Sequence, residues 1–189
     1  GIVEATFDQL KMIIGSIRKA IPLGFKHHLT PRSHSIMPTL AGVEIDKELP
    51  VVAREYDSAR RQVGTLGGGN HFIELQQGSD NHIWLMVHSG SRNLGYKVAD
   101  YYKKLAKKSN FGAGWKVPKQ WQLDSLSMES KEGMQYLAEM NYSVAFARAN
   151  REDMMRKVQE IVSDVTGCGK FQLSLDVAHN YAAKETHFG

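Results

Sequence analysis

The chain has 189 residues, with 24 Lys+Arg against 20 Asp+Glu and 42% hydrophobic residues. That length suffices for one domain with a real core, and the balance excludes a disordered or fibrous protein. No apolar run approaches the roughly 20 residues of a membrane span, the start lacks a secretory signal pattern, and the lone Cys168 rules out an internal disulfide framework, so a reducing, cytoplasmic setting is expected. A net charge of +4 suits a polyanionic partner without specifying one. The eight histidines are more informative, because imidazole serves both as a metal ligand and as an acid/base group.

In chain order, Phe7 to Ala20 places Leu10, Ile13, Ile14 and Ile17 at helical spacing, and Pro22 and Gly24 end the run. Phe25 to Pro50 is rich in Pro, Ser, Thr and His, has no sustained period, and reads as a long loop with short elements. The run Gly64-Thr65-Leu66-Gly67-Gly68-Gly69-Asn70-His71-Phe72-Ile73-Glu74 follows. Residues without a Cβ let the backbone approach a ligand or take up positive φ, and a strand beginning at His71 would hold its imidazole at the edge of that opening. His71 to Gln76 and His82 to His88 read as two strands, joined through Gln77-Gly78-Ser79-Asp80-Asn81 as a hairpin. Leu94 to Lys108 reads as a helix with a basic C-terminal end, and Asn110 to Leu126 as irregular. Ser130 to Val165 has helical character, stopped by Gly167 and Gly169, and Phe171 to Val177 is expected to be an apolar strand. Strands and helices mix without the regular alternation of a doubly wound fold, which makes the class α+β, with mixed sheets flanked by helices over a single domain 1–189.

Three histidines share one setting. His71 opens a strand after the glycine run, His88 closes one ahead of Ser89-Gly90-Ser91-Arg92-Asn93-Leu94-Gly95, and His179 follows one in Asp176-Val177-Ala178-His179-Asn180-Tyr181. Imidazoles converging from strand ends can bind Mn, Zn, Fe or Ni. Asp176 could orient one of them. The Ser89–Asn93 stretch offers N–H groups, hydroxyls and a guanidinium suited to phosphate. Against this, a single strand histidine is more often a hydrogen-bonded structural residue than a ligand; it is the shared placement of three that points to a site. His27, His28, His34, His82 and His187 lack that placement and read as surface or loop residues. Lys103, Lys104, Lys107 and Lys108 read as a solvated helix face. Met134, Met140, Met154 and Met155 read as core packing, and Cys168 as a small thiol in a helix-ending turn.

The glycine run into Asn70-His71-Phe72-Ile73-Glu74, the segment Val87-His88-Ser89-Gly90-Ser91-Arg92-Asn93-Leu94-Gly95, and Asp176-Val177-Ala178-His179-Asn180-Tyr181-Ala182 together resemble the signatures of the RtcB-type RNA ligases, and Ile21-Pro22-Leu23-Gly24-Phe25 resembles a segment found upstream of them. Their order and spacing agree along the whole chain. The resemblance implies an enzyme that joins an RNA end bearing a 2′,3′-cyclic phosphate or 3′-phosphate to a 5′-hydroxyl end with GTP and Mn²⁺. A guanylylated histidine passes GMP to the RNA 3′-phosphate, and the 5′-hydroxyl then displaces it. It implies RNA, as tRNA halves or cleaved ends, as the partner, with room for an activating protein. By position it implies His88 and His179 as ligands of one manganese and His71 as a ligand of a second. It places Asn70 beside the GMP phosphate, Phe72 and Glu74 near the guanosine, and Arg92 and Asn180 on phosphate or the RNA end.

The resemblance is to the central part of that fold. The Asp-x-Gly-Cys-Gly segment that completes the two-metal site is not among these residues, and neither Cys168 nor Asp164 takes its place. His187 does not match the guanylylated histidine. The expectation is therefore a ligase portion that is inactive in ligation by itself, retains weakened metal binding, and exposes apolar surface where the missing segments would cover it. A metal-dependent phosphoesterase and a non-catalytic RNA-binding module on the same scaffold are the alternative readings.

Overall fold

A computed structural model describes residues 5–80, 82–109, 118–121, 123–169, 171–183 and 185–188. Helix α1 (Phe7–Ala20) begins in a capping box: Thr6 Oγ1 accepts from Gln9 N at 3.2 Å while Gln9 Oε1 accepts from Thr6 N at 2.8 Å. Its Ile13 and Ile17 are buried, whereas Ile14 stays half exposed. The stretch read as a long loop contains a 3₁₀ turn (His34–Ile36) and a one-turn helix α2 (Ile45–Glu48), and leads into α3 (Pro50–Gln62). Pro50 occupies the first turn of α3, where its missing N–H costs no hydrogen bond. The next two donors, Val51 N and Val52 N, are satisfied across the fold by the buried carboxylate of Glu139, at 2.6 and 2.8 Å.

Strands β1 (Phe72–Gln77) and β2 (Ile83–His88) form an antiparallel hairpin, with Phe72 opposite His88 and Gln77 opposite Ile83. Strand periodicity sorts its faces. Ile73, Leu75, Leu85 and Val87 turn to the core, while Phe72, Trp84 and Met86 are open to solvent. Helix α4 (Arg92–Ser109) and the 36-residue α5 (Lys131–Thr166) complete the fold, and Gly167 closes α5 in the left-handed conformation at φ 73°. At a rise of about 1.5 Å per residue, α5 is long enough to serve two cores. Tyr142 and Phe146 pack with Val51, Val52 and Val63 after α3 and with Leu94, Val98 and Tyr102 of α4. Further along, Met154, Val158 and Val162 pack with Ile13, Ile17 and Ile21 at α1, with Leu66, and with the inner face of the hairpin.

Two readings change. The segment Phe171–Val177 forms no strand, so the sheet of the described residues has two strands only. Its alternating Leu173, Leu175 and Val177 are exposed, although Phe171 at its start packs against the core. Among the methionines, Met154 is fully buried but Met134 is 57% exposed, because the apolar stripe of α5 turns away from it. Residues 110–117 and 122, within the stretch read as irregular, lie outside the described residues. No helix among the described residues is long and apolar enough to cross a membrane.

Candidate metal and phosphate site

The hairpin register brings the first two histidines together. His71 immediately precedes β1 and His88 ends β2, so they meet at the same end of the ladder, ring centroids 6.1 Å apart. The C-terminal segment lays His179 against His88 at 5.7 Å, and Phe72 stacks obliquely on His88 at 5.1 Å. The three imidazoles therefore form a row, His71–His88–His179. Among the described residues no three His, Cys, Asp or Glu side chains come close enough to share one metal ion. The row supplies donors of the right type for Mn²⁺ or Zn²⁺, with His88 between the other two.

His71 is the most constrained of the three. Its Nδ1 is buried and meets no hydrogen-bond partner among the described residues, an open valence of the kind a metal or phosphate can fill. Burial, then the positive charges of Arg92 and His88, hold its pKa below the usual imidazole value against the opposing pull of the Leu66 backbone. Protonation of the ring is thus less favourable than for a free imidazole.

The glycine run is held from several sides. Gly67, at φ 93°, has no room for a side chain: a Cβ there would collide with Arg92 Nη1 and His71 Nδ1. Arg92 opens α4 at φ 54°, rare for a residue with a Cβ. Its half-buried guanidinium donates from Nε to Thr65 Oγ1 at 3.0 Å and from Nη2 to Gly24 O at 3.2 Å, and burial lowers its pKa. Arg92 is thus anchored to the glycine run, with Nη1 the nitrogen outside these two bonds. Asn70, Glu74 and Asn180 are exposed around the row, and Phe72 lies at its edge.

Two organising residues escaped the sequence. Asn150 is fully buried in α5. Its Oδ1 accepts from Gly64 N at 2.7 Å and Thr65 N at 3.2 Å, and its Nδ2 donates to Ser89 Oγ and Gly90 O, both at 3.1 Å. One side chain thereby ties the loop before His71 to the loop after His88, and Ser89 Oγ completes the link by donating to Leu66 O at 2.8 Å. The available signal was its position on the buried stripe, four residues after Phe146 and four before Met154, where an amide needs partners. Arg151 is the second. It clasps Asp176 from Nε and Nη2 at 2.6 and 2.8 Å and reaches Ser89 O from Nη1 at 3.2 Å. Asp176 thus meets Arg151, not a histidine, because a bidentate guanidinium is the stronger partner for a carboxylate; the Arg151 pairing holds its pKa low. Next to Asn150, Asp153 receives Arg32, Arg156 and Lys157 at 2.7–3.1 Å. Burial pushes its carboxyl up, but these cations outweigh burial and hold it well below the usual carboxylate range.

Beside the row lies a cavity of about 640 Å³, bounded by β2, α4, α5 and the C-terminal segment. His88, Ser89, Arg151, His179 and Asn180 line its polar side, and Met140 and Val144 its apolar side.

The arrangement sets the imidazoles side by side, with a glycine turn fitted closely around them and buried polar side chains fixing both. The sequence matches the family described as tRNA-splicing ligase RtcB over residues 25–189, and the chain belongs to that family. Among its relatives, the tRNA-splicing ligase RtcB of Thermococcus kodakarensis is 34% identical over 146 residues, 67% of this chain and 30% of the relative. That of Archaeoglobus fulgidus is 34% identical over 149 residues, 69% of this chain and 31% of the relative. The RNA-splicing ligase RtcB of Escherichia coli is 33% identical over 143 residues, 68% of this chain and 33% of the relative. The chain thus spans about a third of the length of these three relatives.

Proposed function

We propose that this chain is the metal- and phosphate-holding portion of an RNA ligase that joins 2′,3′-cyclic phosphate or 3′-phosphate ends to 5′-hydroxyl ends with GTP and Mn²⁺. The observation that carries the reading is the His71–His88–His179 row, with the buried, unpartnered Nδ1 of His71 at one end. His88 and His179 would hold one Mn²⁺ and His71 a second, each ion completing its shell with donors other than these imidazoles. Bound there, Mn²⁺ supplies charge that stabilises phosphate oxygens during transfer.

The chain's own residues divide the remaining work. Asn70 and Asn180, exposed on either side of the row, offer amide donors to phosphate oxygens, and Phe72 and Glu74 offer a ring and a carboxylate to the guanosine. Arg92 keeps the glycine run in place and presents Nη1 towards the anion. Asn150 fixes His71 relative to His88.

Calorimetric titration with Mn²⁺ tests the reading. His88→Ala and His179→Ala should each weaken binding by tenfold or more, and unchanged affinity in both overturns the ligand assignment. Incubation with a cyclic-phosphate RNA, a 5′-hydroxyl RNA, GTP and Mn²⁺ separates the chemistries. The chain by itself should yield neither covalent GMP nor joined RNA, and a hydrolysed 3′-phosphate end would show a phosphoesterase instead.

A further inference from the structure

Lys11, Arg18, Lys19, Lys26 and Arg32 fall between residues 9 and 43, a stretch with no Asp or Glu. The rest of the chain holds nineteen cations against twenty anions, so the whole positive surplus belongs to this stretch. Arg32 is engaged internally with Asp153. Lys11, Arg18, Lys19 and Lys26 are exposed.

Among them stands Phe25, 100% exposed. Its backbone is nonetheless well held. Lys26 N closes a turn on Leu23 O at 3.0 Å, Gly24 N donates to Gly67 O at 2.8 Å, and Leu66 N donates to Pro22 O at 3.0 Å. Arg92 Nη2 holds Gly24 O, and His28 Nε2 meets Val63 O at 3.0 Å. The turn is thus stitched to the same glycine run that leads to His71, and it holds a bare aromatic ring in water, where leaving it exposed gains nothing from burial. Rigid aromatic rings among unpaired cations are how single-stranded nucleic acid is bound: bases stack on the ring and phosphates meet the cations.

We propose that Phe25 is a stacking platform for a base of single-stranded RNA, with Arg18, Lys19 and Lys26 taking its phosphates on the approach to the imidazole row. The proposal rests on the RNA-ligase reading for its choice of polyanion. Exposed Leu23 and Leu29 flank the ring and make a protein contact the rival occupant, but the formal charge of the stretch around Phe25 is of one sign and complements a phosphate backbone.

The test is binding of a short, labelled oligouridine to the full chain in EDTA, without GTP. Phe25→Ala should weaken binding about tenfold while leaving binding of inorganic polyphosphate and the thermal unfolding profile unchanged. Phe25→Trp should retain affinity, and its added fluorescence should be quenched by RNA. Lys19→Ala and Lys26→Ala should each lower the dependence of log affinity on log salt by about 0.7. RNA binding by Phe25→Ala equal to that of the unmodified chain overturns the proposal, as does an equal loss for polyphosphate. So does a change in sedimentation of the free Phe25→Ala chain, which would assign the ring to a protein contact. Because metal and GTP are absent from this assay, its failure leaves the ligase reading standing, and failure of the Mn²⁺ titration leaves this result standing.

Discussion

The two ends of the imidazole row are held in different ways. His71 and His88 belong to a hairpin whose inner face is in the core and whose flanking loops share one buried amide, Asn150. His179 lies on a segment outside any strand whose Leu173, Leu175 and Val177 are exposed and which the Asp176–Arg151 pair ties to α5. The first end is over-determined by packing and hydrogen bonds; the second rests on the packing of Phe171 at its start, one partly exposed ion pair, a ring contact and a bond from Ala182 N to Met140 Sδ. A site built this way keeps a fixed half and an adjustable half, and substitutions should separate the two.

The largest effect is expected at Asn150. Asn150→Ala strands two buried N–H groups and the Ser89 hydroxyl network, which should cost about 3 kcal/mol in urea unfolding. Asn150→Asp keeps the acceptor and should lie in between. A loss below about 0.5 kcal/mol, the level of an ordinary surface change, would break the comparison.

Gly67→Ala comes next. It adds a Cβ at positive φ against Arg92 and His71 and should destabilise by about 2 kcal/mol. Gly69→Ala, also at positive φ but facing open space, should cost about half as much. Equal losses at the two positions would show that fit against the site does not matter.

Acid sharpens the comparison further. The carboxyl of Asp153 is held below its unfolded value of about 3.9, so its three cations stabilise the fold fully above that pH, and their contribution is lost as pH falls through the lowered value. His71 works at milder acidity. Its folded pKa lies below the unfolded value of about 6.5, so protonation is disfavoured in the fold and stability declines as pH drops below about 6.5. His71→Gln should flatten the part of the stability curve just below that point, and an unchanged curve would remove His71 from the buried half.

The smallest stability effect is expected at Asp176. Asp176→Asn should change unfolding by less than about 1 kcal/mol, because the pair is partly solvated. Limited proteolysis should nevertheless cut the 171–183 segment faster, while the hairpin stays protected. Unchanged cleavage would mean that other contacts hold His179.

The same division governs what could be read from the sequence. The hairpin, α1, α4 and α5 were legible because apolar spacing and glycine stops are local signals, and the three histidines because they border turns. Helix α3 went unread: its buried residues Val51, Val52, Ala59 and Gln62 make a short stripe among many charges, and its N-terminus is capped by Glu139 from a distant helix. The strand expected at Phe171–Val177 has the right alternation, but a strand also needs a partner edge, and none reaches it. Asn150 reaches loops 60 to 86 residues away, and Arg151 joins Ser89, 62 residues away, to Asp176, 25 residues away, links that no local pattern connects. The sequence therefore marks the imidazoles, while the side chains that place them are revealed only by tertiary contact.

The most direct test is Mn²⁺ titration followed by NMR of the histidine ring protons. The ring signals of His71, His88 and His179 should broaden together at substoichiometric Mn²⁺, ahead of those of His27, His34, His82 and His187. Broadening that begins at the scattered surface histidines, with the row unaffected, would contradict a metal site built along His71, His88 and His179.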